Sequence, residues 1–177
     1  MNADFNKNHF ELFGLKPSFR IDAARLEAGY RELQSAVHPD RYAAGSDAEK
    51  RVSMQWATRA NEAYRTLKQP VARARYLLSL EGVDTQEETN TAMPADFLML
   101  QMEWREAAQD ARQAKDAAAL DKLSGTLRFE EQALLASLEN ALEDRRDLPQ
   151  AALIVRKLRF LAKLGEEIGD ALEALES

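Results

Sequence analysis

His38-Pro39-Asp40 stands between two runs that each carry the marks of an amphipathic helix, and this arrangement leaves the chain few ways to fold. Proline disfavours the α conformation in the residue before it, so a helix beginning at Asp22 is expected to end by His38, with Pro39 turning the chain. Asp22 is a good N-cap, and Ile21 and Leu26 occupy the N′ and N4 positions of a hydrophobic staple. Leu26, Tyr30, Leu33 and Val37 then recur on one helical face. After a polar loop, Arg41 to Gly45, Ser46-Asp47-Ala48-Glu49 forms a capping box that opens a second helix. Its apolar face is read as Val52, Trp56, Ala60, Tyr64 and Leu67. Two such helices over a short loop are expected to lie antiparallel, presenting His38 and Asp40 together at the tip of the hairpin.

The rest of the chain is helical by the same criteria. Pro70 ends the second helix and opens a third, Val71 to Leu80, which Gly82 stops. Asn8 to Leu15 is expected to pack Phe10, Leu12 and Phe13 on the hairpin. Residues 81–94 are polar and without period, and read as a linker between a first domain, 1–80, and a second, 95–177. The second domain is expected to hold helices over Ala95 to Ala114, Asp116 to Glu143 and Pro149 to Leu175. The middle helix has a seam of Leu120, Leu123, Leu127, Leu134, Leu138 and Leu142. The last has one of Leu158, Leu161, Leu164, Ile168, Leu172 and Leu175. Near-heptad seams over short connections predict a three-helix bundle, so the fold class is all-α. A bend or break is expected near Ser124-Gly125, where glycine costs about 1 kcal/mol relative to alanine.

Several function classes are set aside by what is missing. With no cysteine and two histidines, disulfides, thiolate zinc and histidine-rich metal sites are excluded, which leaves open a carboxylate site for calcium or magnesium, though no Asp-x-Asp-x-Asp-Gly loop is present. There is no phosphate loop, no dinucleotide-binding turn and no nucleophile elbow, so no cofactor and no enzymatic activity are expected. No apolar stretch reaches the ~18 residues of a membrane span, and residues 1–6 lack a targeting pattern, so the expected location is cytoplasmic. Net charge is −6, but it is divided. Residues 1–77 hold 13 Lys+Arg against 9 Asp+Glu, a balance of +4, and residues 78–177 hold 11 against 21, a balance of −10. The acidic half argues against nucleic acid, and the segregation suggests two different partners.

The helix, His38-Pro39-Asp40, helix arrangement, followed by Asn61-Glu62-Ala63-Tyr64-Arg65-Thr66-Leu67, resembles a J-domain, the part of DnaJ-type co-chaperones that stimulates a DnaK-class ATPase. The resemblance implies that Asp40 engages an arginine of the chaperone, that His38 and Pro39 shape the contact, and that Arg25, Arg31 and Arg41 steer it. Ala36 and Val37 stand where a basic and an aromatic residue are common, which favours a dedicated chaperone. A rival reading makes His38 and Asp40 an acid–base pair in an enzyme, and it requires a concave pocket around them.

The second half lacks a Gly/Phe-rich segment and zinc repeats. Asp96-Phe97-Leu98-Met99, Gln113-Ala114-Lys115-Asp116 and Val155-Arg156-Lys157-Leu158-Arg159-Phe160-Leu161 resemble the HscB family of iron–sulfur cluster co-chaperones. That resemblance implies an HscA-type chaperone partner and an IscU-type scaffold as client, with no cofactor held. At ~100° per residue, Leu98, Met99, Met102, Glu103, Glu106 and Asp110 share one sector of their helix. Phe97, Leu100, Trp104, Ala107, Ala108 and Ala111 share the sector expected to be buried. The first set, with Phe160, is the expected scaffold-binding patch, an apolar cluster beside carboxylates. The alternative is that it packs under the first domain or the linker. Asp110 stands where the family usually has glutamate. Trp56 and Trp104 are read as core, His9 as a surface residue, and Glu130-Glu131 and Glu166-Glu167 as solvated faces.

Overall fold

The structure is a computed structural model that describes residues 6–176, with only the backbone of Pro39 and Glu176. The domain start at residue 1 and most of the stretch read for a targeting pattern, residues 1–5, lie outside the described residues. Every regular element among the described residues is helical. The chain divides into two compact units, Met1–Glu81 and Gly82–Ser177.

In the first unit, α1 (His9–Leu12) is a single turn held by a reciprocal cap between Asn8 and Glu11. α2 (Ala23–Val37) begins where Asp22 accepts the amides of Ala24 and Arg25. α3 (Asp47–Lys68) begins with the expected Ser46–Glu49 box. Both amide and hydroxyl of Ser46 donate to the Glu49 carboxylate, which holds that carboxyl below its ordinary range. α4 (Pro70–Leu80) starts at the proline, because a residue with no amide hydrogen loses nothing in a first turn.

Three cross-links set the register of α2 on α3. Ser53 donates to the Val37 carbonyl at 2.7 Å, Tyr30 to the Asn61 side chain at 2.7 Å, and Tyr64 to Glu27 at 2.5 Å. The residue numbers rise on one helix as they fall on the other, so the pair is antiparallel. Phe10, Phe13, Leu26, Ala63 and Leu67 form the core between them. Gly29 is part of this fit, since a Cβ there would lie 2.8 Å from the Phe13 carbonyl oxygen.

Two expectations for this unit need correction. Val52 is exposed, and Ser53 takes the inward position. The helix end it meets offers an unpaired carbonyl, so a hydroxyl suits that position better than a methyl group. His9 is not a surface residue. It is half-buried, stacked on Tyr76 with ring centroids 4.1 Å apart, and its Nδ1 is enclosed. Burial lowers its pKa from 6.5, opposed by the Glu62 carboxylate and assisted by Arg59.

In the second unit, residues 82–94 are anchored rather than free. Arg156 donates to the Thr85 carbonyl at 3.1 Å, and Arg159 pairs with Glu88. α5 (Ala95–Ala114), α6 (Ala117–Glu139) and α7 (Leu148–Glu176) form the bundle. Lys115 adopts the left-handed conformation at φ 52° between the first two helices, and Asp116 caps α6 through the Ala119 amide. No break occurs at Gly125, and α6 runs through it. The irregularity comes later, as a π turn over Asn140–Asp144. A π turn adds a residue to the helical circuit, so Ala141 rotates inward and Leu142 is only half-buried. The other seam leucines of α6 are buried, as are Leu158, Leu161, Leu164 and Ile168 of α7. Leu172 and Leu175 are half-buried, because the packing thins toward the end of α7. Trp56 and Trp104 are core residues.

Two outcomes follow for stability. Ser53→Val should lower the stability of the first unit by about 1–3 kcal/mol, because the Val37 carbonyl loses its buried donor. Amide exchange across residues 23–68 in urea would measure it. Since the folded His9 binds a proton less readily than the unfolded chain, stability should fall as pH drops below 6.5. His9→Phe, which keeps the ring stack, should flatten that slope between about pH 7.5 and 5.5 in thermal melts.

Candidate functional site

Val37 is buried and ends α2; the next residue leaves the helix at φ −57°, ψ 130°, the extended geometry that a following proline requires. Pro39–Tyr42 then forms a 3-10 turn. A helix leaves its last carbonyls without partners, and here the loop and α3 supply them. Arg41 donates from Nη1 to the Ser35 carbonyl at 3.2 Å, Tyr42 from its hydroxyl to that of Ala36 at 3.3 Å, and Ser53 to that of Val37. The turn is thereby stapled to the end of α2.

What the staple leaves outward is the His38–Asp40 pair. The Asp40 amide donates to His38 Nδ1 at 3.3 Å, and the Asp40 carboxylate lies 3.5 Å from the same nitrogen. His38 Nδ1 is thus the acceptor that closes the turn onto the Asp40 amide, with the Asp40 carboxylate beside it. The Asp40 side chain is 90% exposed and that of His38 53%. A pair so open to water has no enclosing walls, which contradicts the acid–base enzyme reading. The Pro39 ring lies outside the described side chains.

The three arginines do not act alike. Arg25 and Arg31 are exposed but stand about 120° apart around α2. Arg31 is tied to Glu27 at 3.0 Å, and Tyr64 also donates to that carboxylate. The Tyr64 hydrogen bond and the adjacent Arg31 hold the Glu27 carboxyl below its ordinary range. Arg41 is exposed while bonded to the Ser35 carbonyl, so it supports the turn as well as charging it. The Asn61 to Leu67 motif is structural. Asn61 and Tyr64 bond α2, Ala63 and Leu67 are buried, and only Glu62 and Arg65 project on the outer side.

The second candidate surface lies on α5. Leu98 is 42% exposed, Met99 64% and Met102 72%, with Glu103, Glu106 and Asp110 exposed beside them. Phe97, Trp104, Ala108 and Ala111 are buried, as expected. Leu100 and Ala107 are exposed instead, because the arc of α5 that meets its neighbours is narrower than the periodicity suggests. Phe160, half-buried on α7, meets Phe97 edge-on with centroids 6.0 Å apart. The Arg105 guanidinium lies over the Phe160 ring at 5.3 Å and reaches Glu167 at 4.0 Å. Leu98, Met102 and Arg105 follow four–three spacing along one side of α5, so Phe160 adjoins the end of that stripe. Arg105, Tyr42 and Ser53 were missed by sequence reasoning. Their signal was faint: a cation in register with the methionines, and hydroxyls facing a proline-terminated helix end. Glu167 is exposed but faces Arg105, so it is not merely solvated.

Among the described residues, no group of three or more His, Cys, Asp or Glu is placed to hold a metal ion, and no helix is long and apolar enough to cross a membrane.

An antiparallel hairpin with an open His-Pro-Asp turn, followed by a helical bundle, defines a J-type co-chaperone. Residues 93–169 match a family model described as the HSCB C-terminal oligomerisation domain. The co-chaperone protein HscB homolog of Chromobacterium violaceum is 61% identical over 175 residues, 99% of each chain. Among solved structures, chaperone HscB from Vibrio cholerae superposes with a TM-score of 0.82 at 36% identity, covering 96% of this chain and 99% of that one. Human co-chaperone protein HscB gives 0.85 at 31% identity, covering 94% and 83%. The chain belongs to the HscB family of co-chaperones.

Because both candidate surfaces are exposed, removing their side chains should leave the fold intact. Asp40→Asn and Leu98→Ala/Met99→Ala should each unfold within about 0.5 kcal/mol of wild type in urea titrations.

Proposed function

We propose that this co-chaperone stimulates the ATPase of an HscA/DnaK-class chaperone through His38, Pro39 and Asp40 and delivers an IscU-type iron–sulfur scaffold to it. Residues 1–80 would serve as the J-domain and 95–177 as the client arm, joined by 81–94, in the cytoplasm. The observation that carries the reading is the coexistence of an open charged turn at one hairpin tip with an exposed, methionine-bearing stripe on α5. Neither the Asp40 carboxylate nor the Leu98, Met99 and Met102 side chains is buried within the chain. A carboxylate with this exposure is free to meet a cation, and a desolvated charge pair is strong and specific when the partner geometry is good. Arg25, Arg31 and Arg41 would steer the encounter by charge. On the client side, Leu98, Met99, Met102 and Phe160 would supply apolar contact, and Glu103, Glu106 and Asp110 an acidic rim. Self-association through the second unit, the role named in the description of the matched family model, comes with the proposal.

A J-domain adaptor for a different client is the competing reading, and co-purification of an unrelated client without the scaffold would favour it. The decisive measurement is the steady-state ATPase rate of the cognate chaperone with and without the scaffold. Asp40→Asn should weaken chaperone engagement by about 2 kcal/mol or more, roughly 30-fold. His38→Gln should abolish stimulation. Leu98→Ala/Met99→Ala/Phe160→Ala should keep the basal stimulation and lose its enhancement by the scaffold. Identical behaviour of the turn and stripe variants would overturn the division of labour.

A further inference from the structure

Phe129 on α6 is 77% exposed, the most exposed large apolar side chain among the described residues, and it belongs to neither surface assigned above. It stands in a stripe of Lys122, Gly125, Phe129, Ala133 and Ala136, which recur at helical spacing along one side of α6, with Asn140 opening the π turn that follows. That stripe contains no carboxylate. In a half of the chain with a balance of −10, this is unusual, and it decides what can approach. Two copies of so acidic a unit repel wherever their carboxylates come within a Debye length of about 8 Å. Along this stripe the only charge is Lys122, so here two copies can touch without opposing carboxylates in the contact.

The stripe is also complementary to itself. When two α6 helices cross antiparallel about a two-fold axis between Gln132 and Ala133, each residue faces the one whose number brings the sum to 265. Phe129 then faces Ala136 of the second copy, and Gly125 faces Asn140. Ala136 borders a depression of about 390 Å³ lined also by Ser137, Asn140, Arg145, Gln150 and Ile154, wide enough for a phenyl ring beneath an arginine. A Cβ added to Gly125 would meet nothing within 4 Å, so no contact inside the unit requires glycine there. The same face on both partners is what a two-fold dimer demands.

We infer that the Phe129 face of α6 is the contact between two copies of this chain, with Phe129 of each seated beside Ala136 of the other. The inference rests on the self-association included in the proposal above and names its surface. From Gly125 to Asn140 the stripe is about 23 Å long. One helix face of that length is well below the roughly 800 Å² per partner of a standard interface, so the dimer is weak and concentration-dependent.

The test uses the full chain in sedimentation equilibrium over a rising concentration series. Wild type should climb from the monomer mass toward twice that value, and Phe129→Lys should stay at the monomer mass. Because the chain has no cysteine, Ala133→Cys places a single thiol beside the axis. A short bismaleimide should link it into dimers, and should not link Glu131→Cys, on the opposite side of α6. If wild type associates and Phe129→Lys associates equally, the face is wrong while self-association stands. If wild type stays monomeric throughout, both fall. If Phe129→Lys instead loses scaffold capture with its mass unchanged, the face serves a client and the dimer contact is refuted. The ATPase readout of the co-chaperone reading is separate from all of these.

Discussion

The last carbonyls of α2 have no partners within their own helix, and the way the chain satisfies them governs the first unit. Pro39 prevents the helix from continuing, so these acceptors cannot be used by further turns. Arg41, Tyr42 and Ser53 take them instead, one each. Because Ser53 belongs to α3, the same bond that closes the helix end also helps fix the hairpin register, with Tyr30–Asn61 and Tyr64–Glu27 farther along. The turn is then held from behind by backbone acceptors, and the His38–Asp40 pair faces outward without any enclosing residues of its own.

The second unit works from an opposite constraint. Its three helices are long enough to bury leucine seams on α6 and α7, yet α5 contributes only a narrow arc to the core, through Phe97, Trp104, Ala108 and Ala111. The remaining circumference is available for other uses, and apolar residues there are not forced inward. Phe97 links the two regions: it meets Trp104 at 6.1 Å, Phe160 at 6.0 Å, and lies under Lys157. Side chains next to the exposed stripe are thereby fixed by the core. Charge is partitioned in the same economical way, with carboxylates flanking Met99 and Met102 while the Phe129 face of α6 is free of them.

Much of this was legible before any coordinates. Asp22, Ser46–Glu49 and Pro70 act through local hydrogen bonds or a missing amide, so their effect depends on a few neighbouring residues and can be read directly. The leucine seams are similarly readable, since periodicity reports which side is apolar. The misreadings share a different cause. Val52 and Ser53, Leu100 and Ala107, and Ala141 and Leu142 are adjacent or flanking positions at which periodicity tolerates either choice. The selection was made by a carbonyl waiting on α2, by how much of α5 its neighbours cover, and by a π turn that rotated the end of α6. His9 was misjudged because its partner, Tyr76, lies 67 residues away and leaves no local trace.

By itself, then, the amino-acid order determined where helices start and stop, that they pair over short loops, and which motifs stand at the hairpin tip and on α5, because capping, proline geometry and helical period act within a few residues. Tertiary structure alone decided which apolar side chains remained in water, which hydroxyls were spent on closing α2, and which arginines were already engaged. Those outcomes depend on packing partners distant in the chain, and no short-range pattern encodes them.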